Sequence, residues 1–422
     1  MKLLVPLRLP GFRLLWTGMT ISLIGDGITL VAIAWQVYEL SNLPTALGIT
    51  MMAMSIPHFL LLLLGGAVSD RFDRRWVMLG ADLVRGMALT VLGTLSLLGI
   101  LEIWHMTVIA AIYGAGSAFF GPAFDAVVPE LVPTALLAQA NSLDQFVRPT
   151  AARLIGPALG GWIIASFGIG WAFIIDAITF AISAICLIRL GKIVQREWKD
   201  EEEGSSSLWA EIREGLVFVW SRTWLWGTFL AATLAYLIFL GPAEVLLPYM
   251  VKNELGGHAG DLGMVLAAGG VGAVTASLIM AQRGLPARNM CFVYVSWSLA
   301  TLMVAGYGIA RVPWEAMIAC FIFNLFESAG LIVWITTKQL LVPSRLLGRV
   351  SSVDWFVSIG LMPVSYALAG PVAELLGVRP TLIGAGVLGA VITLAFLFLP
   401  GIRLAEQIMP AVARQHHAVP DH

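Results

Sequence analysis

Asp26 stands in the stretch "SLIGDGITLVAIAW", residues 22–35, and no other acid or base lies between Arg13 and Glu39. Keeping a carboxylate charged in so apolar a segment costs roughly a few kcal/mol or more. Its chemistry there is to take up and release a proton, or to attract a cation. The alternative is a structural hydrogen bond to a neighbouring helix. Ser22, Asp26, Thr29, Ile33 and Gln36 recur at helical spacing and form one mostly polar stripe on an otherwise apolar helix. Such a stripe is expected to face a water-filled cavity and not lipid. Glu327, with Asn324 and Ser328 on its side of another apolar run, and Glu244 in "LGPAEVLLPYM" are the other candidates for proton or substrate coupling. Asp176 lies nearer the end of its run. His58, just after Pro57, can relay a proton or simply pack. Trp35, Tyr236, Phe239 and Phe323 offer flat faces to line a cavity for amphipathic ligands. Arg153 is too deep to stay unpaired, so Asp26 or Glu327 is expected beside it, and pairing with Asp26 would hold that carboxylate ionised. Asp144 and Arg148, four apart, have the spacing of an ion pair.

These residues need elements that hold them in an apolar medium. The chain of 422 residues is 59% hydrophobic and 12% charged, about half the charge of a soluble domain. Segmentation predicts an all-α integral membrane protein of twelve spans, near 12–38, 45–69, 76–98, 104–124, 143–167, 170–190, 224–250, 259–282, 289–310, 314–336, 351–376 and 380–401. With the N-terminus inside, 19 of the 25 Lys and Arg fall in inside segments and 3 outside, the remaining three lying within spans. The positive-inside rule therefore predicts a multi-pass plasma (inner) membrane protein with both termini cytoplasmic. The expected units are a six-helix bundle over 1–190, a linker over 191–223, a second bundle over 224–401 and a tail over 402–422. The linker contains the acidic "KDEEEGSSS", followed by "LWAEIREGLVFVW", which reads equally well as a membrane-surface helix or as an extension of the next span.

The halves repeat. "LVPTALLAQANSLDQFV" (131–147) and "LVPSRLLGRVSSVDWFV" (341–357) align without a gap, with nine identities in 17 positions that include Pro133, Ser142 and Asp144. Two parallel halves with a site between them near the midplane are a recurring transporter plan. At this offset Asp26 corresponds to Tyr236 and Glu327 to Ser117, so neither carboxylate is duplicated.

"GGAVSDRFDRR" (65–75) resembles the cytoplasmic signature of the major facilitator superfamily, on Gly66, Ser69, Asp70, Arg71, Phe72, Arg74 and Arg75, with Asp73 where the family usually has glycine. The resemblance implies a major facilitator fold of two pseudo-symmetric six-helix bundles and a cytoplasmic latch between them. Asp144 recurs as Asp354 in the second half, so Asp144 and Arg148 read as gate or frame. "AQANSLDQFVRPTAARLIGPALGGWIIASFG" (138–168) resembles the drug and metabolite exporter branch, which includes macrolide-efflux and siderophore-export proteins. Its core is Gly156, Pro157, Gly160 and Gly161. In that branch this motif accompanies export in exchange for protons. Its residues also have a packing role, since the proline kinks a helix and the glycines admit a close neighbour.

The expected function is proton-coupled antiport of hydrophobic or amphipathic drugs by alternating access, with a small-molecule substrate, protons and the bilayer as partners and a monomer as the working unit. Export of a defined metabolite such as a siderophore, or movement of a lysolipid, is the alternative. No enzyme chemistry, metal, cofactor or nucleic-acid partner is expected. Cys186, Cys291 and Cys320 lack ligand spacing, and nothing resembles a nucleotide-binding loop.

Overall fold

Long apolar runs end at prolines and glycines, and the helices follow that punctuation. The computed structural model describes residues 2–190 and 208–407. After a short turn of 3₁₀ helix come α1 (Pro10–Leu40), α2 (Pro44–Arg71), α3 (Arg74–Leu97), α4 (Ile103–Leu131), α5 (Thr134–Pro149), α6 (Gly156–Phe167) and α7 (Ile169–Arg189). Then follow α8 (Leu208–Trp220), α9 (Thr223–Gly241), α10 (Leu247–Tyr249), α11 (Ala259–Arg283), α12 (Asn289–Ile309), α13 (Pro313–Leu341), α14 (Ser344–Ile359), α15 (Met362–Leu376) and α16 (Val378–Phe396). No strand occurs among the described residues. Proline opens α1, α2 and α13, where its missing N–H leaves no bond unmade. Gly168 and Gly377, at φ +94° and +91°, make the tight turns from α6 to α7 and from α15 to α16.

Eleven helical stretches among the described residues are long and apolar enough to cross a membrane. The expected span over 143–167 is not one of them. It is helical, but Thr150–Ile155 forms a π turn between polar α5 and short α6. Pro157 cannot donate to the carbonyl of Arg153 four residues earlier, and the wider turn absorbs that break. The repeat shows in the same place: α14 stops at Ile359 and α15 begins at Met362. The duplicated "LVP" segments likewise end α4 and α13 and restart the chain as α5 and α14, with Pro133 and Pro343 just before the first helical residue.

Helices α1–α7 pack among themselves, as do α9–α16, and the halves meet where α6 lies on α11 and α15 on α2. The repeat exchanges these two contacts. One apolar core, with Val37, Tyr38, Leu246, Val251 and Tyr366, spans both halves at one end of the molecule. Toward the other end two separate cores form, around Phe12, Met78 and Val127 and around Trp224, Tyr294 and Val350. The joined end carries most of the polar contacts between halves. Tyr38 donates to Val245 O at 2.6 Å, Lys252 donates to Tyr38 O at 2.6 Å and pairs with Glu39 at 3.1 Å, and Asn42 and Asn253 exchange amide bonds.

The linker residues 191–207 and the tail from 408 lie outside the described residues. Residues 208–220 form a separate helix, α8, tied to α14 by the Glu214–Arg349 ion pair, and Ser221 and Arg222 break it from α9. It is therefore not an extension of the next span.

Candidate functional site

Asp26 is flanked by Gly25 and Gly27, and each glycine serves a different neighbour. A Cβ on Gly25 would lie 1.9 Å from Asp176 Oδ1 of α7, and one on Gly27 would lie 2.8 Å from Gly156 Cα of α6. The two close approaches clamp α1 between α7 and α6. Asp26 is thereby held inside the first half, within reach of α3 and α4. Tyr113 of α4 donates its hydroxyl to Asp26 Oδ1. Arg85 of α3 stands 3.9 Å from the same oxygen and 2.6 Å from Asp82. Phe180 and Phe120 cover the Arg85 guanidinium at 4.3 and 4.8 Å, a cation–π shelter that partly replaces water. Thr29 and Thr179 donate to the two oxygens of Asp176, at 2.5 and 2.8 Å. Asp82 and Asp26 thus share one guanidinium, with Asp176 within its electrostatic range, and the cluster is neutral only when two of the three carboxyl groups carry a proton.

The polar stripe on α1 differs from the expectation. Ser22, Thr29 and Gln36 are buried, Ser22 on the carbonyl of Met19, Thr29 on Asp176 and Gln36 on the hydroxyl of Ser96. Thr29 and Gln36 face α7 and α3, which supply polar partners that a wet crevice would otherwise provide, and Ser22 bonds back onto its own helix. Trp35 is buried at the joined end, 5.6 Å from Lys252. Asp26 itself retains 27% side-chain exposure. Its link outward is Tyr113, which lines a cavity of about 230 Å³ with His58, Phe59, Ser117 and, from the other half, Met362 and Pro363.

Arg153 pairs with Glu327, not Asp26. Its Nη1 lies 3.8 Å from Glu327 Oε2 and 3.3 Å from Asn324 Oδ1 across the two halves, and its side chain is 55% exposed. Glu244 is exposed, accepts a hydrogen bond from Tyr366, and is within electrostatic range of Arg153. Arg153 and Glu244 share a sequence feature: each stands in a π turn four residues before a proline, Pro157 or Pro248. The missing proline N–H widens the helix at both charged residues. Tyr236 and Phe323 meet Glu327, but in a small pocket inside the second half.

Asp144 and Arg148 form the expected pair at 2.6 Å, and Asp125 joins them at 3.7 Å. The repeated Asp354 takes Lys338 and Trp334 instead. Gly66 has open space around it. Arg74 pairs with Glu130, Asp73 caps α3 on the N–H of Arg75, and Arg75 covers Trp76, three contacts that lie within the first half. Arg71 ends α2, and the Asp70 side chain lies outside the described residues. The glycine motif divides its labour. Cβ atoms on Gly156 and Gly160 would meet α1 at 2.6 and 3.0 Å, whereas one on Gly161 would meet Ala259 O of α11 at 2.8 Å. Gly263 and Gly270 of α11 return the approach against Pro157 and Arg153.

Asp82, Arg85, Tyr113 and Asp176 were not legible as one site. The available signal was Arg85 three residues after Asp82 inside an apolar run, the spacing of an intrahelical pair.

Two helical halves joined at one end, with charged residues on the crevice between them, define a major facilitator transporter. The chain belongs to the transmembrane secretion effector family of that superfamily, matching it over residues 2–419. It is 26% identical over 412 residues to the uncharacterized MFS-type transporter YfiS of Bacillus subtilis, covering 94% of each chain. It is 25% identical over 390 residues to the multidrug efflux pump Tap of Mycolicibacterium fortuitum, covering 90% of this chain and 93% of that protein. With macrolide efflux protein A of Streptococcus pyogenes the identity is 22% over 372 residues, 87% and 90% of the two chains. The fold matches an inward-facing bacterial homologue of the iron transporter ferroportin with a TM-score of 0.67, at 16% identity over 93% of this chain and 99% of that one.

Proposed function

We propose that the protein is a secondary exporter that exchanges protons for hydrophobic or amphipathic compounds by alternating access. The observation that carries this reading is the Asp26 cluster, three carboxyl groups around Arg85, joined through Tyr113 to a cavity shared by both halves. An acid group in lipid is tolerated where it faces water or a partner, and Asp26 has both. A substrate entering the crevice changes what Tyr113 and Asp26 see, and that couples occupancy to proton release. The efflux relatives support the direction of transport.

The basic residues support an orientation with both termini on the cytoplasmic side of the plasma membrane. The joined end is then the outer end, and this conformation is open inward. Residues 1–190 and 224–401 rock as two bodies of one monomer, with 191–223 connecting them. The exposed guanidinium of Arg153 favours a second reading, export of an anionic metabolite such as a siderophore, or movement of a lysolipid.

The test is an efflux panel of cationic, neutral and anionic compounds in a host lacking its own pumps, with and without a protonophore, for the wild type and Asp26→Asn. Efflux that stops with protonophore and with Asp26→Asn is expected. Efflux unaffected by either would refute proton coupling through Asp26.

A further inference from the structure

The second half encloses a pocket of its own, between α9, α12, α13 and α16. Tyr236, Phe239, Trp297 and Phe323 present aromatic surface to it, Glu327 supplies its carboxylate, and Thr393 lines it from α16. Thr393 is 3% exposed, and its hydroxyl has no hydrogen-bond partner. A buried hydroxyl without a partner is costly to leave so. Glu327 is weakly held: Ser328 Oγ donates to its Oε2 at 3.4 Å. Its cationic partner, Arg153, belongs to the other half, approaches no closer than 3.8 Å, and is largely exposed. The pocket thus combines a carboxylate, an idle acceptor and aromatic faces. That set suits a cation with N–H donors, attracted by ring faces and bonded by oxygens.

Donor chemistry decides which cation. The cavity is small, about 30 Å³, room for roughly one or two water-sized groups. An ammonium head can donate N–H bonds to both oxygens there, and a trimethylammonium head has none to donate.

We infer that this pocket is a binding site for the ammonium head of a primary amine, held by Glu327 and Thr393 among Tyr236, Phe239, Trp297 and Phe323. The inference rests on the transport reading only in taking the amine as cargo; the site itself is defined by its side chains. The amine displaces Arg153 from Glu327 and so loosens a tie between the halves, while its apolar remainder extends toward the crevice.

The experiment is calorimetric titration of the full-length protein in nanodiscs with 2-phenylethylamine and with its N,N,N-trimethyl derivative. The primary amine should bind about tenfold or more tightly than the trimethyl compound. Glu327→Gln and Thr393→Val should each weaken the amine, Glu327→Gln by about tenfold or more, the fold-change a charged hydrogen bond carries, and Thr393→Val should leave the trimethyl compound, which has no N–H to donate, unchanged. Equal binding of both heads, or an amine affinity indifferent to both substitutions, would mean a water-filled packing void and overturn the site. Thr393→Val preserves shape and keeps the test decisive if Glu327→Gln fails to fold, which a thermal scan reveals. A wild type that binds the amine in this pattern but exports nothing would sink the transport reading and leave the site standing.

Discussion

Tyr113 hydrogen-bonds Asp26 across 87 residues of sequence, and the same ring forms part of the wall of the cavity between the halves. One side chain therefore touches both the buried acid and the space a substrate would occupy. Arg85 is committed first to Asp82, at 2.6 Å, and stands 3.9 Å from Asp26. Asp26 therefore holds the longer of two contacts to a cation that Asp82 bonds directly.

Tyr113→Phe removes the donor and leaves the ring. Export should fall by about tenfold, near the value of one hydrogen bond to a charged group, while Asp26→Asn should abolish it. Initial efflux rates in pump-deficient cells, normalised to membrane expression, check this. Equal rates for Tyr113→Phe and the wild type would break the proposed link from crevice to acid.

Arg85→Met should destabilise the first half by about 3–5 kcal/mol, because Asp82 loses the cation it bonds in a buried setting. Adding Asp82→Asn should recover most of the loss, since the carboxylate that bonds Arg85 directly is then no longer a buried charge. Thermal unfolding of the four purified proteins measures the coupling. Additive losses would show that the pair is not the source of the stability.

Gly160→Leu and Gly161→Leu should fail differently. Position 160 meets α1 of its own half, so leucine there lowers thermal stability. Position 161 meets α11 of the other half, so leucine there spares the stability of the first half and impairs transport. Unfolding curves paired with efflux rates separate the two. Identical profiles would mean the two faces of α6 do not divide as described.

A short bifunctional thiol cross-linker between Asn42→Cys and Asn253→Cys should stop export reversibly, because these side chains exchange hydrogen bonds across the joined end. Reductant should restore at least half the rate if the linker is reducible. Undiminished efflux after confirmed cross-linking would show that this end need not open.

The membrane class, the helical punctuation and the duplicated halves were all readable in the linear chain. Each follows from local properties: apolar length, proline and glycine positions, and an exact offset between "LVPTALLAQANSLDQFV" and its partner. The Asp144–Arg148 pair was readable for the same reason, because four residues along one helix fix the distance. Asp26 could be singled out, but not its neighbours. Whether its stripe faced water or other helices depended on what α3 and α7 brought against it, and those helices brought Arg85, Asp82 and Asp176. Likewise Arg153 had two possible carboxylates, and only the docking of α6 on α11 selected Glu327. Helical periodicity says which residues share a face. It carries no information about which face of another helix will meet it, since that is settled by close-packing at glycines and by matching of buried polar groups over the whole bundle.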